Sequence, residues 1–136
     1  MENILLIFNT FFLFAIKQNP TPQLKVFNIS ESRILFCFSH LNIFEVANIN
    51  SALKNLREKN FWVYGFDASG KKNFTEVKWK GNNVLLFGSE GFGMRKHTIK
   101  YTDFLVRIDI NKNVESLNVS NSAAIVFHHI NQQKKS

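Results

Sequence analysis

An α/β fold, a mainly parallel sheet with flanking helices, is what the sequence predicts, and three observations predict it. The runs "FWVYGF" (61–66), "NVLLF" (83–87) and "DFLVRIDI" (103–110) combine aromatic and β-branched residues in blocks of strand length. The segments "NINSALKNLREKN" (48–60) and "VSNSAAIVFHHINQQ" (119–133) carry apolar residues at helical spacing. Helix and strand blocks alternate along the chain, the order in which parallel strands are joined through helices.

Size and composition agree with a single domain. At 136 residues the chain can bury a core large enough to need neither disulfide nor metal. Its one cysteine, Cys37, lies in the apolar "ILFCF", so an intrachain disulfide is excluded and a reducing, cytoplasmic setting is expected. His40, His97, His128 and His129 lack the spacing of a structural zinc site, and no metal is expected. Seventeen basic against ten acidic residues give a formal charge of +7, which favours a polyanionic partner, nucleic acid first. Lysine-rich composition that serves only solubility is the competing reading.

The elements follow in order. The apolar run from Asn3 to Ile16 is shorter than the roughly 20 residues of a membrane-spanning helix. It has Glu2 in front and "KQNP" behind, unlike a secretory signal. A buried strand or a short core helix fits it equally. Pro20 and Pro22 break the chain, and 25–29 and 33–38 read as short strands. The helix over 48–60 has apolar Ile49, Ala52, Leu53 and Leu56, a cap at Asn50 or Ser51, and an end near Asn60.

After the strand at 61–66 comes the turn "DASG" (67–70), then a polar loop through Asn82. The strand over 83–87 runs into "GSEGFG" (88–93), followed by a helical candidate from Met94 to Tyr101. The last helix offers Ala123, Ala124, Phe127 and Ile130 for packing.

The glycine loop is the first feature with chemical content. A dinucleotide fingerprint needs G-x-G-x-x-G, whereas the order here is G-x-x-G-x-G with Glu90 inside it. A P-loop needs Lys and Ser or Thr after its last glycine, and this chain has Met94 and Arg95. A plain strand-to-helix turn, with Glu90 near a helix start, is the structural alternative. A second loop, "NVESLNVSNSAA" (113–124), decides between them: it passes through Glu115, Ser116 and Asn118 into an alanine-containing helix.

Together "VLLFGSEGFGM" and "VRIDINKNVESLNVSNSAA" resemble motifs 2 and 3 of the SpoU-type RNA ribose 2′-O-methyltransferases of the SPOUT class. The helix and strand of 48–66 are similar to those that precede motif 2 there, so the resemblance covers about 43–130. It implies a carboxy-terminal trefoil knot, S-adenosylmethionine as cofactor, RNA (tRNA or rRNA) as partner, and a homodimer. The family's cofactor contacts fall on Gly88, Ile108 and Leu117. Its catalytic polar groups fall on Ser116 and Asn118, with the motif 2 carboxylate at Glu90. The local alternatives are that Asn118 or Ser120 caps the last helix and that Ser116 bonds its own loop. Lys71, Lys72, Lys78, Lys80, Arg95 and Lys96 are candidate phosphate contacts, against a merely solvated basic face.

Departures from the pattern bound the expectation. The family's proline after Ile108 is Asp109 here, and its nearby glycine is Lys112, which implies a less constrained loop. Arg33 is the one arginine before Ile43 and does not sit in a motif 1 context. Residues 1–42 are therefore expected to be a diverged or unrelated apolar segment, and 43–136 the carboxy-terminal part of a methyltransferase domain apparently truncated on its amino-terminal side. A non-catalytic RNA-binding or dimerisation module that keeps the fold is the alternative function. A membrane-tethered small protein rests on residues 3–16 alone.

Overall fold

The computed structural model describes residues 3–8, 11–16, 41–45, 48–88, 93–111, 113–114 and 117–135. Among them the strands are β1 (Asn3–Phe8), β2 (Phe11–Ile16), β3 (Leu41–Glu45), β4 (Phe61–Phe66), β5 (Lys72–Asn73), β6 (Asn82–Phe87) and β7 (Phe104–Arg107). The helices are α1 (Ile49–Glu58), α2 (Lys96–Ile99) and α3 (Val119–Lys135). All the strands join one sheet in the order β3-β1-β2-β6-β4-β7-β5.

Strands β6, β4, β7 and β5 run parallel, as the alternation of blocks predicts. Phe66 is level with Phe87 on one side and Val106 on the other, so β4, β6 and β7 end together at one edge of the sheet. The apolar run 3–16 is a pair of antiparallel strands, not a core helix, and β2 adds antiparallel to β6 from Phe12↔Phe87 to Ile16↔Asn83. The parallel core thus continues into an antiparallel extension. The strands expected at 25–29 and 33–38, and Cys37, lie outside the described residues.

Two cores flank the sheet because successive strand residues point to opposite faces. On one face Val63, Val84 and Leu86 pack against Ile49 and Leu53 of α1 and against Met94. On the other, Tyr64, Phe66, Leu85, Phe87 and Val106 pack against Ala123, Val126 and Ile130 of α3. That 123, 126, 130 spacing makes one helical stripe. Ala124, expected in the core, is exposed instead, while Phe127 is half-buried. Leu53, Val63, Val84, Leu85 and Leu86 are fully shielded, each worth about 1.5–3 kcal/mol against exposure.

Local chemistry sets the boundaries. The cap of α1 is Asn48, not Asn50 or Ser51: its Oδ1 accepts from the amides of Asn50 at 3.0 Å and Ser51 at 3.2 Å. The helix stops at Asn60, whose φ of 61° is left-handed, a common terminator for asparagine. Helix α2 is shorter than expected because Arg95 is extended, with ψ 137°, and Met94 is buried in the core. Strand β7 is shorter than 103–110 as well, and Asp109 and Ile110 are exposed beyond it. The segment after β5, expected as a polar loop, buries Phe74, Val77 and Trp79. Gln133 of α3 holds it in place, donating to the Val77 carbonyl at 3.0 Å and accepting from the Trp79 amide at 3.4 Å.

Candidate active site

The edge where β4, β6 and β7 end together carries the loops expected to form the site. Gly88 directly follows β6 and has no room for any side chain. A Cβ there would lie 2.4 Å from the carbonyl carbon of Gly93 and 2.6 Å from the Met94 amide nitrogen. The glycine loop therefore returns upon its own start. Gly93 closes it at φ 62°, a conformation that glycine adopts without cost.

Asp67, the first residue after β4, holds this closure. Its Oδ2 accepts from the Met94 amide at 3.3 Å, and its Oδ1 accepts from the Ser69 amide at 2.9 Å and the Ser69 hydroxyl at 2.6 Å. Partial burial pushes the Asp67 carboxyl up. The hydrogen bonds from Ser69 and Met94 more than offset that and hold it below the ordinary carboxylate value. Sequence reasoning passed over Asp67 as a turn residue. The available signal was a carboxylate one step beyond a buried strand, followed two residues later by a serine, which is an Asx-turn pattern.

Beyond β7, Ile108 is half-buried against the α3 core, as is Val119, the first residue of α3. Leu117, half-buried, immediately precedes Asn118 at the entrance to that helix. The structure thus places Gly88 at the end of β6 and Ile108 at the end of β7, with Leu117 and Asn118 leading into a helix that packs where Ile108 does. Glu90 and Ser116 lie outside the described residues, as do Gly91 and Lys112.

Asn118 acts as a helix cap, the local alternative for it: its Oδ1 accepts from the Asn121 amide at 3.1 Å. Its Nδ2 makes no hydrogen bond to another described residue. Asp109, in place of a proline, is fixed by other means than ring geometry. Its Oδ2 accepts from Asn73 Nδ2 at 2.6 Å and its Oδ1 from Arg107 Nε at 2.7 Å. Those two hydrogen bonds, with the Arg107 charge, lower the Asp109 carboxyl from its ordinary value despite a small opposing desolvation. Arg107 also donates to the carbonyls of Gly70 at 3.0 Å and Lys71 at 2.7 Å. The expected looseness after Ile108 is offset by this polar lacing.

Among the described residues no group of three or more histidine, cysteine or acidic side chains is placed to hold a metal ion. No helix among them is long and apolar enough to cross a membrane.

A family model described as the SpoU rRNA Methylase family matches residues 21–128, most of the chain and both loops. The chain belongs to the SpoU rRNA methylase family. A Pseudomonas aeruginosa relative, 23S rRNA (guanosine-2′-O-)-methyltransferase RlmB, is 35% identical over 89 residues, covering 65% of this chain and 36% of the relative. An uncharacterized tRNA/rRNA methyltransferase of Synechocystis is 31% identical over 116 residues, covering 83% of this chain and 30% of its own length. The chain therefore spans about a third of the length of these curated relatives.

Solved structures support the SpoU fold. The A. aeolicus TrmH/SpoU tRNA modifying enzyme superposes with a TM-score of 0.64 at 23% identity, over 71% of this chain and 49% of that one. The SpoU methyltransferase AviRb from Streptomyces viridochromogenes, in complex with AdoMet, superposes with a TM-score of 0.65 at 20% identity, over 73% and 39%.

Proposed function

We propose that this chain binds S-adenosylmethionine and acts as an RNA ribose 2′-O-methyltransferase, with tRNA or rRNA as substrate. The observation that carries the reading is the glycine loop closed on itself at Gly88 and fastened by Asp67, at the carboxyl edge of a parallel sheet. Ligands of open α/β sheets bind at that edge. Family membership and the names of the relatives support the chemistry.

The residues fit the cofactor. Ile108 and Leu117 keep part of their apolar surface out of the core, and these surfaces are the walls for an adenine. Gly88, packed directly on the backbone of Gly93 and Met94, fixes the shape of the loop that would meet the cofactor. When bound, S-adenosylmethionine supplies a sulfonium methyl group to an attacking ribose 2′-oxygen. Catalysis by this chain is then alignment first, followed by removal of the hydroxyl proton. Asn118 spends its Oδ1 on the α3 cap and has its Nδ2 to orient the ribose. Ser116 lies two residues before it in sequence, and Glu90 supplies the carboxylate that supports the reacting hydroxyl.

The working form is a homodimer in the cytoplasm. Ile110, Val114 and Ile125 are 38%, 43% and 42% exposed, apolar surface that a second copy would cover. The catalytic unit lies within 43–136, with 1–42 contributing no reacting group.

Calorimetry with S-adenosylmethionine, paired with tritium transfer from the labelled cofactor to bulk tRNA and rRNA, tests the reading. Saturable binding and transfer are expected. Binding without transfer would favour a non-catalytic RNA-binding module, a reading to which the cap role of Asn118 lends weight. No binding at high cofactor concentration would sink the proposal.

A further inference from the structure

Beside the glycine loop the sheet carries a second feature that cofactor binding does not use. An open cleft of about 460 Å³ is lined by Phe104, Leu105 and Val106 of β7, with Tyr64, Ser69 and the lysines Lys71, Lys72 and Lys78 around them. Short β5 pairs with β7 only at Val106 and Arg107, so the Phe104–Leu105 end of that strand has no neighbour from β5. Phe104 is 45% exposed and stacks on Tyr64 with ring centroids 4.9 Å apart. Trp62, 52% exposed, extends the aromatic surface with its ring 5.8 Å from Phe104.

The charge of the cleft is one-sided. Among the described residues no ion pair engages Lys71, Lys72 or Lys78. Asp103, the acidic lining residue, is already committed: Oδ1 pairs with Arg57 at 2.8 Å and Oδ2 accepts from the Val63 amide at 2.8 Å. Aromatic faces bordered by free lysines are the arrangement that binds single-stranded nucleic acid, with bases stacking and ammonium groups meeting phosphates. An apolar partner protein would leave the three lysines unpaired, and a second copy of this chain, also at +7, would bring more positive charge.

We infer that this cleft, with Phe104 as stacking platform and Lys71, Lys72 and Lys78 as phosphate contacts, holds an unpaired stretch of the RNA substrate flanking the methylated nucleotide. The inference rests on the RNA substrate proposed above. Its position suits that task, since Ser69, one of its lining residues, is bonded to the same Asp67 that fastens the glycine loop.

The test uses the full chain, a short single-stranded oligouridine, and fluorescence anisotropy across a salt series, with cofactor calorimetry alongside. Replacing the three lysines together (K71Q, K72Q, K78Q) should reduce the slope of log affinity against log salt by about 2, at roughly 0.7 per phosphate contact on a single strand. Phe104→Ala should weaken binding about tenfold at fixed salt and leave the slope unchanged. S-adenosylmethionine affinity should be unaltered in both. Oligouridine binding equal to that of the unmodified chain in the triple-lysine variant, which keeps the core intact, would overturn the inference. So would a Phe104→Ala effect that proves on sedimentation to be loss of a dimer. If the unmodified chain binds cofactor and no RNA, the cleft assignment fails alone; if it binds neither, the proposed function fails with it.

Discussion

Asp67 and Met94 are joined by a 3.3 Å hydrogen bond from the Met94 amide to the Asp67 carboxylate, across 27 residues of chain. That bond ties the turn after β4 to the end of the glycine loop after β6. Two loops on neighbouring parallel strands are thereby set as a unit. A loop that must present backbone to a ligand benefits from being ordered beforehand, because ordering it on binding would subtract from affinity.

Asp67→Asn keeps an acceptor for only part of this network, since its Nδ2 cannot accept from Ser69 or Met94. S-adenosylmethionine affinity should fall several-fold by calorimetry, with far-ultraviolet circular dichroism unchanged. The pH dependence follows from the direction of the carboxyl shift. A folded-state value held below the unfolded one stabilises the fold above about 3.8, the ordinary value, and that contribution disappears as the pH falls through the lower folded value. The stability gap between the original chain and the variant should therefore be largest near neutrality and close below pH 3.8. A gap that persists undiminished in acid would remove the charge from the explanation.

Gly88→Ala places a methyl group 2.4 Å from the Gly93 carbonyl carbon, which is backbone and cannot swing aside. The loop must open. Cofactor binding should be lost or reduced at least tenfold, while the buried strand before it, Val84 to Phe87, keeps its protection in amide hydrogen exchange. Binding within twofold of the original would show that the closed loop is not what the cofactor meets.

Much of this architecture was legible in the sequence, and the failures have physical causes. Strands β4 and β6 and the cores of α1 and α3 were clear because their residues are apolar in unbroken or helically spaced blocks. The cap of α1 was misplaced because Asn48, Asn50 and Ser51 are all competent caps and only the backbone selects among them. The 74–79 segment read as polar because Thr75, Glu76 and Lys78 separate its buried residues, yet Val77 and Trp79 point inward while Lys78 and Lys80 point out, a period of two. Residues 3–16 were ambiguous because a continuous apolar run suits a strand and a helix alike. The place of Gly88 at the end of β6 was legible through its motif. Asp67 was not, because an aspartate in a turn looks the same whether it holds only the turn or a second loop as well.

Asn118 carries a prediction that separates structure from catalysis. Removing its cap bond by Asn118→Ala should cost about 1 kcal/mol of stability. Asn118→Asp keeps the Oδ1 acceptor for the Asn121 amide and loses the Nδ2 donor, so it should melt near the original temperature and still lose methyl transfer to RNA. Transfer restored in the aspartate variant would reduce Asn118 to a cap.

Asp103 and Arg57 form the 2.8 Å ion pair that fastens α1 to the start of β7, and the two partners should not be equivalent. The Arg57 side chain is 47% exposed, and an exposed pair contributes roughly 0–1 kcal/mol, so Arg57→Ala should destabilise only slightly. Asp103, whose side chain is 12% exposed, also accepts from the amide of Val63, a residue with no solvent contact. Asp103→Ala leaves that amide buried without its acceptor, at about 1–3 kcal/mol, and releases the end of β7 where the Asp103 amide bonds back to the Val63 carbonyl at 2.8 Å. Urea denaturation should therefore rank Asp103→Ala well below Arg57→Ala, with Asp103→Asn between them because it retains an oxygen for Val63. Equal losses from the two alanine variants would mean that the ion pair, and not the strand amide, is the interaction that matters there.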